Sequence, residues 1–244
     1  MIPAVEARNA TRVLPGAVPV TLVREIDVAV MPGEFVAITG PSGSGKSSLL
    51  YLLGLLDRPS EGAVLVHGQD TTDLSGDTLA ALRLARIGFV FQFHFLLPEF
   101  SALDNVLVPM RRLERWTDKE ARERAERLLT DVGLADQLKK RPDQMSGGQR
   151  QRVAIARSMA NEPDIILADE PTGNLDQKNG QLVFEIFARL ASEFGKSVIA
   201  VTHDPHLAAQ TRRQIHLIDG RIVDDGSGAK RAPDEAALPA PPGV

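Results

Sequence analysis

The feature that most constrains this chain is a glycine-rich run between a short apolar stretch and an apolar helical pattern. It fits the phosphate-loop pattern G-x-x-x-x-G-K-[ST] without a gap, and its residues are Gly40, Pro41, Ser42, Gly43, Ser44, Gly45, Lys46 and Ser47. Glycine is needed because a Cβ would block the backbone N–H groups that surround polyphosphate oxygens. Residues 34–39 predict a buried strand before the run. Ser48 opens a predicted helix that reaches residue 56.

This context predicts a nucleotide site. The free N–H groups at a helix start and the helix dipole both favour negative charge. We expect Lys46 to reach the terminal phosphates of ATP and the Ser47 hydroxyl to ligate Mg²⁺. The alternative, an ordinary Gly/Ser turn, does not explain the flanking strand and helix.

Composition excludes several other classes of protein. A chain of 244 residues with 43% hydrophobic content can bury one large core, with or without a smaller subdomain. A formal charge of −4 argues against nucleic acid as the main partner. The absence of cysteine excludes disulfides and suits a reducing compartment. Because no apolar run resembles a signal peptide or a membrane span, we expect a cytoplasmic protein.

Two carboxylates follow a second apolar run. Residues 165–168 predict a central parallel strand, and Asp169 and Glu170 lie at its carboxyl end, where open α/β sheets bind ligands. Phosphate hydrolysis needs a carboxylate near Mg²⁺ and a second group that orients or deprotonates water. We predict the first role for Asp169 and the second for Glu170. The alternative for either residue is a helix cap or a solvated turn acid.

Gln92 and His203 also follow predicted strands, at residues 87–91 and 197–202. At the same sheet edge, His203 could donate to the γ-phosphate. The Gln92 amide could ligate Mg²⁺ or position water. The alternative for an isolated histidine is a structural or exposed side chain.

A second helix start with little side-chain obstruction occurs further along the chain. Its residues are Ser146, Gly147, Gly148 and Gln149. Such a start is again suited to anions, although a simple helix cap would explain Ser146 and Gly147. One triphosphate does not need two such helix ends. We therefore interpret this one as serving a nucleotide held by another subunit.

The remaining pattern is that of a mixed α/β chain. Residues 18–23 and 26–30 predict an antiparallel edge sheet. Residues 117–132 predict a helix with solvated Glu120–Arg124 and Glu123–Arg127 pairs. Asp219 and Gly220 predict a hairpin turn. From residue 224 onward the composition predicts a disordered tail.

Together, these motifs resemble the ATP-binding cassette (ABC) ATPase family over about residues 20–223. The resemblance implies an α/β P-loop NTPase with a mostly parallel sheet and an N-terminal antiparallel β subdomain. It also implies a helical subdomain inserted at about residues 93–160. We expect residues 1–223 to form one nucleotide-binding domain and residues 224–244 the tail.

The resemblance also assigns roles to individual residues. Gln92 corresponds to the Q-loop glutamine, residues 145–149 to the signature motif, Asp176 to the D-loop and His203 to the switch histidine. It implies a head-to-tail homodimer with two ATP molecules between the subunits. The implied Mg²⁺ ligands are Ser47, Gln92 and Asp169.

Two positions depart from the family pattern. Met145 replaces the usual leading leucine of the signature, an apolar exchange of similar volume. The aromatic residue that usually stacks on adenine is missing, and Val13 or Leu14 stands in its place. We therefore expect weaker discrimination between bases, with the phosphate contacts providing most of the affinity.

Residues 51–59 and 91–106 are similar to ATPase subunits of the lipoprotein-release (Lol-type) and macrolide-exporter-type group. Within them, residues 93–100 are rich in aromatic and apolar side chains, and we call them the docking segment. We expect integral membrane transporter subunits to dock there, although ordinary core packing would explain part of the segment.

The functional expectation is an ATPase motor on the cytoplasmic face of the inner membrane, most simply driving lipoprotein release. The alternatives are a macrolide or peptide exporter, a cell-division-type regulatory ATPase, or a soluble ABC ATPase acting in repair or translation. The soluble alternative is disfavoured because the chain has one set of motifs and no sustained heptads.

Overall fold

The computed structural model describes residues 1–226, which form two β-sheets and the helices that cover them. The strands are β1 (Val5–Leu14), β2 (Val20–Val30), β3 (Phe35–Thr39), β4 (Glu61–Val66), β5 (Gln69–Asp70), β6 (Ile87–Phe91), β7 (Ile165–Asp169), β8 (Ser197–Val201), β9 (Arg213–Ile218) and β10 (Arg221–Asp225). The α-helices are α1 (Lys46–Leu53), α2 (Gly76–Arg86), α3 (Ala102–Leu113), α4 (Asp118–Asp131), α5 (Gly147–Ser158), α6 (Gln177–Ser192) and α7 (Pro205–Ala208). Across residues 1–226, no helix combines the length and the apolar character that a bilayer crossing requires.

The larger sheet has six strands in the order β10-β9-β3-β8-β7-β6, and all its pairs are parallel except β10 with β9. Strands β3, β7 and β8 are buried along almost their whole length because helices cover both faces. The expected P-loop α/β fold with a mostly parallel sheet is confirmed. Parallel pairing brings the carboxyl ends of β3, β6, β7 and β8 to one edge of the sheet.

The smaller sheet is antiparallel, with the order β2-β1-β4-β5. The N-terminal antiparallel sheet is thus confirmed, but the sequence pattern predicted two short runs where the structure has the single long strand β2. Strand β1 was not predicted at all. Its register shifts between Ala7 and Ala10, where Asn9 adopts a φ of 46°. This bulge interrupts the alternation of buried and exposed residues that reveals a strand.

Three apolar clusters stabilise the fold. The first lies between the smaller sheet, α1 and the larger sheet, and the second joins α5 and α6 to the other face of the larger sheet. The third cluster joins α3, α4 and α5. Helix α3 contains Pro109 and was not predicted as a helix. The boundaries proposed for the helical subdomain, about 93–160, stay a prediction.

Three local expectations were wrong. Within residues 1–226, Glu123 forms its ion pair with Lys119, at 4.0 Å, and not with Arg127. Glu120 does not pair with Arg124, because its carboxylate completes a capping box with Thr117 at the start of α4. Arg124 instead binds Glu162 at 2.8 Å. At the other end of the chain, β10 continues to Asp225, which binds the nearly buried Arg213. The rest of the tail predicted to be disordered, from residue 227, lies outside the described residues.

Candidate active site

The phosphate loop connects β3 to α1, and its glycines are fixed by neighbouring backbone. Gly40 has a φ of 141°, and a Cβ there would lie 2.2 Å from Leu217 O. Gly45 has a φ of 96°, and a Cβ there would lie 2.3 Å from Leu22 O. Both residues therefore need to be glycine for reasons of backbone conformation and packing. The loop is held between β2 on one side and β9 on the other.

The open side of the loop is suited to an anion. A Cβ on Gly43 would meet nothing within 4 Å, so the space above the loop is free. Helix α1 has no side-chain cap, and its first residues are Lys46, Ser47 and Ser48. Their N–H groups lack the intrahelical acceptors that later residues have. These donors, with the positive end of the helix dipole, fit a polyphosphate.

Lys46 lies across this loop. Its ammonium group donates to the carbonyl oxygens of Gly40 at 3.0 Å and Pro41 at 2.8 Å. The charge is therefore held at the mouth of the phosphate loop, where it could neutralise an entering anion.

Asp169 ends β7 and faces α1. Ser47 Oγ donates to its Oδ1 at 2.9 Å, and Tyr51 Oη donates to its Oδ2 at 2.9 Å. A hydroxyl and a carboxylate so close together are oxygen donors of the kind that Mg²⁺ prefers. Burial, together with the bond to Asp169, raises the pKa of Tyr51 to about 12, so its hydroxyl remains a donor at neutral pH.

Tyr51 was missed as a site residue. The signal was present in the sequence, because residues four apart on a helix lie on the same face, and Tyr51 is four residues after Ser47. What the sequence lacked was the position of β7 opposite that face.

Glu170 points away from Asp169, toward His203. Its φ is 46°, and its N–H donates to Val201 O at 3.1 Å. Glu170 Oε2 lies 3.5 Å from Nδ1 of His203, which follows β8. The two adjacent carboxylates thus have different partners, as their separate predicted roles require.

Gln92 follows β6, at the same edge of the sheet. Its Nε2 donates to Asn174 Oδ1 at 3.2 Å, and Asn174 Nδ2 donates to the Gln92 carbonyl at 3.4 Å. Its amide is thus bound to the segment after Glu170, and not to Ser47 or Asp169. The metal-ligand role expected for Gln92 stays a prediction.

The residues at the start of α5 form a capping box. Gln149 N donates to Ser146 Oγ at 3.2 Å, and Ser146 N donates to Gln149 Oε1 at 2.9 Å. Within residues 1–226, no hydrogen bond joins this helix start to the phosphate loop. Local capping therefore explains both polar side chains, and it leaves the N–H groups of Gly147 and Gly148 without an acceptor in their own helix.

The start of α6 packs against the start of α5. A Cβ on Gly148 would lie 2.5 Å from Asn179 Oδ1. Asn179 in turn donates to both oxygens of Asp176, from its N at 2.8 Å and from its Nδ2 at 2.7 Å. These bonds, the backbone one foremost, lower the pKa of Asp176. Asn179 thus connects two predicted nucleotide-contacting segments, although no motif of the sequence marks it.

The docking segment is partly exposed, and side chains of α5 and α3 bind its backbone. Phe93 and Phe95 are each 65% exposed. Arg157 of α5 donates to the carbonyls of His94 and Phe95, both at 2.7 Å. Buried Asn105 of α3 binds the backbone of the same segment at Leu97 and Phe100. The aromatic side chains are therefore presented on a fixed backbone.

A cleft of about 770 Å³ lies beside this segment, between α2, α3, β6 and α5. Its lining is apolar along Leu84, Phe89 and Val108, and it includes the cations Arg83, Arg112 and Arg157. Burial lowers the pKa of Arg157, whose hydrogen-bond acceptors among the described residues are backbone carbonyls. The cleft does not include the phosphate loop.

Comparison with known proteins identifies relatives of the whole site. Residues 23–173 match the family described as ABC transporter. The chain is 49% identical to the lipoprotein-releasing system ATP-binding protein LolD 1 of Chlorobium chlorochromatii over 84% of its length and 83% of that protein. It is 47% identical to LolD of Aquifex aeolicus over 92% of its length and 98% of that protein.

Other relatives differ in what they are named for. The macrolide export ATP-binding/permease protein MacB of Rhodopseudomonas palustris is 47% identical over 93% of this chain, which spans 35% of that protein. A solved dimeric structure of an ATP-binding cassette in a post-hydrolysis state, bound to ADP and Pi, is 41% identical. It superposes with a TM-score of 0.84 over 91% of this chain and 97% of its own.

Proposed function

The chain belongs to the ABC transporter family as one of its ATP-hydrolysing cassettes, and we propose that it drives the release of lipoproteins from the inner membrane. One observation carries this proposal. The relatives named as lipoprotein-releasing ATP-binding proteins are 47–50% identical to this chain over 84–92% of its length. Both phosphate-loop geometry and the paired carboxylates support the hydrolytic part of it.

In this proposal ATP lies on the phosphate loop. The backbone N–H groups between Gly40 and Ser48, which every residue except Pro41 supplies, and the Lys46 ammonium bind its phosphates. Glu170 takes a proton from the attacking water. His203, which lies beside it, donates a hydrogen bond to the terminal phosphate. Gln92 is connected to this edge of the sheet by its hydrogen bonds to Asn174.

Ser47 and Asp169 are the residues that would hold Mg²⁺. Their hydroxyl and carboxylate oxygens lie 2.9 Å apart, which suits a small hard cation. Bound there, the cation would neutralise developing phosphate charge. The protein's own contribution is to orient Asp169, through the hydroxyl groups of Ser47 and Tyr51.

A second copy of the chain completes the site in this proposal. At the start of α5, the N–H groups of Gly147 and Gly148 have no acceptor within their own helix. Within residues 1–226, no hydrogen bond joins this helix start to its own phosphate loop. Asp176 lies next to it through Asn179. The dimeric state of the solved ADP- and Pi-bound cassette supports a head-to-tail dimer in which these groups reach the partner's nucleotide.

Membrane subunits would dock at the docking segment and the neighbouring cleft. Exposed Phe93 and Phe95 supply apolar contact. Arg157 connects the segment to α5, the helix that begins at Ser146. Movement of a docked partner would thereby reach both Gln92 and the start of α5. The chain would then lie on the cytoplasmic face of the membrane.

A second candidate is export of a small molecule, which the identity to MacB-type proteins favours. The two candidates share the ATPase site and differ in the membrane partner and the cargo. A cell-division-type regulatory role would differ in the same way.

The test is to capture the partner and then assay its cargo. We would use Glu170→Gln, ATP and detergent-solubilised membranes, and identify bound integral proteins by mass spectrometry. The membrane partner identified in this way would be combined with the wild-type ATPase and reconstituted in liposomes that carry a labelled lipoprotein. We expect lipoprotein release that depends on ATP. The Lys46→Ala variant serves as the control without productive nucleotide binding.

Two results would overturn the proposal. Transport of a macrolide without lipoprotein release would favour the second candidate. ATP-dependent dimerisation without any integral partner would indicate a soluble ABC ATPase.

A further inference from the structure

Asp169 is held by two hydroxyl groups of one helix. Ser47 donates to Oδ1 and Tyr51 donates to Oδ2, each at 2.9 Å. The two residues are one helical turn apart on α1, so both face β7. Each oxygen of the carboxylate therefore has its own donor.

The two hydroxyls differ in what else they can do. Ser47 belongs to the phosphate loop and is expected to bind the cation. Tyr51 lies one turn further into the protein, and its ring packs against the first apolar cluster. Its neighbours Leu50 and Leu52 are fully buried, so α1 is fixed at this point. The phenol is thus a rigid donor, and it belongs to no recognised nucleotide-binding motif of the sequence.

One hydrogen bond to Oδ1 leaves a carboxylate free to rotate about its Cβ–Cγ bond. A second bond to Oδ2 fixes the plane of the group. We propose that Tyr51 is a positioning residue for Mg²⁺ binding, which holds Asp169 so that Oδ1 faces Ser47. This inference rests on the nucleotide and Mg²⁺ roles proposed for the site.

The first test separates the hydroxyl from the ring. Tyr51→Phe keeps the ring and removes the bond to Asp169. We would measure ADP affinity by calorimetry in Mg²⁺ and in EDTA. The affinity in EDTA should match that of the wild type, and the gain on adding Mg²⁺ should fall by about tenfold, as expected for loss of one hydrogen bond to a charged group.

Thr71→Val is the matched control. It removes a buried hydroxyl that donates to Val64 O at 2.8 Å, away from the site. It should lower thermal stability without changing the Mg²⁺-dependent gain. If Tyr51→Phe behaves in the same way, Tyr51 is only structural and the inference is wrong. If the wild type itself shows no gain with Mg²⁺, the proposed metal site fails first.

A second measurement needs no substitution. Tyr51 is the single tyrosine of the chain, so 3-fluorotyrosine incorporation labels this position alone. The ¹⁹F resonance of the ADP complex should shift when Mg²⁺ is added, because the cation withdraws charge from the carboxylate to which the phenol donates. An unchanged resonance, with Mg²⁺ binding confirmed by calorimetry, would overturn the inference.

Discussion

His203 Nδ1 lies 3.5 Å from Glu170 Oε2, and the two side chains follow neighbouring parallel strands. Glu170 reaches this position through a φ of 46°, a conformation that costs a non-glycine residue about 1–3 kcal/mol. Its N–H bond to Val201 O helps to hold it there. Glu170 is therefore held in a strained conformation at the sheet edge, beside the phosphate loop. This fixes the position of its carboxylate, as a general base requires.

Glu170→Gln should therefore retain ATP binding and slow hydrolysis by roughly 10²–10⁴-fold. The amide keeps the shape of the side chain but cannot accept the proton of water. Single-turnover hydrolysis and size-exclusion chromatography in ATP should show slow chemistry and a trapped dimer. Glu193→Gln, an exposed acid paired with Arg189, is the control and should turn over normally. Normal turnover by Glu170→Gln would reduce Glu170 to a structural acid.

The edge that carries these residues could be predicted from the sequence, because its determinants are local. Buried parallel strands are apolar runs, and Asp169, Glu170 and His203 directly follow such runs. The phosphate loop has a fixed spacing. Chain order and strand polarity are then enough to bring these groups together.

Contacts between elements could not be predicted in the same way. Asn179 reaches Gly148, and Arg157 reaches the carbonyl of Phe95, across distances in sequence that no short pattern describes. Strand β1 was hidden by the bulge at Asn9. The Glu120–Arg124 pair was predicted from helical spacing, but the Glu120 carboxylate accepts hydrogen bonds from Thr117 in a capping box instead.

Gly148→Ala should destabilise the protein by about 1–3 kcal/mol, as overpacking does. Its Cβ would lie 2.5 Å from Asn179 Oδ1, and Asn179 is fixed by two bonds to Asp176. Chemical denaturation of the monomer measures the loss. At Gly147 the nearest atom is 3.7 Å away, so Gly147→Ala is the control and should be tolerated. In an Asn179→Ala background, the destabilisation caused by Gly148→Ala should be smaller. An unchanged destabilisation would contradict the clash with Asn179.

Asp176 predicts a pH-dependent contribution to stability. Its bonds from Asn179 lower its pKa, so the folded state holds the proton less tightly than the unfolded state does. The stabilisation should be present above the ordinary value of about 3.9 and be lost as pH falls through the lower folded value. Denaturation of Asp176→Asn and wild type should therefore differ at pH 7 and converge in acid. Asp73→Asn, at an exposed acid outside α6, is the control and should leave stability at pH 7 close to that of the wild type.

Base selectivity should be weak. Val13 or Leu14 stands where the family usually places an aromatic residue, and the Val13 N–H donates to Ser60 Oγ at 3.1 Å, which fixes the strand there. ATP and GTP affinities should agree within about tenfold, and Val13→Tyr should add roughly 1–3 kcal/mol for ATP through stacking. Competition binding measures both. Val18→Tyr, in the exposed β1–β2 turn, is the control. Strong ATP preference in the wild type would contradict the interpretation.

Arg157 should control the order of the docking segment. Its largely buried guanidinium is bound by the carbonyls of His94 and Phe95, and a lysine ammonium lacks the planar fork that spans both. Arg157→Lys should cost about 1–3 kcal/mol and speed hydrogen exchange within residues 93–100. Arg112→Lys, in the same cleft but without a described hydrogen bond, is the control. Equal hydrogen-exchange rates in the two variants would mean that Asn105 alone orders the docking segment. Faster exchange in Arg157→Lys only would show that the Arg157 side chain connects the docking segment to α5.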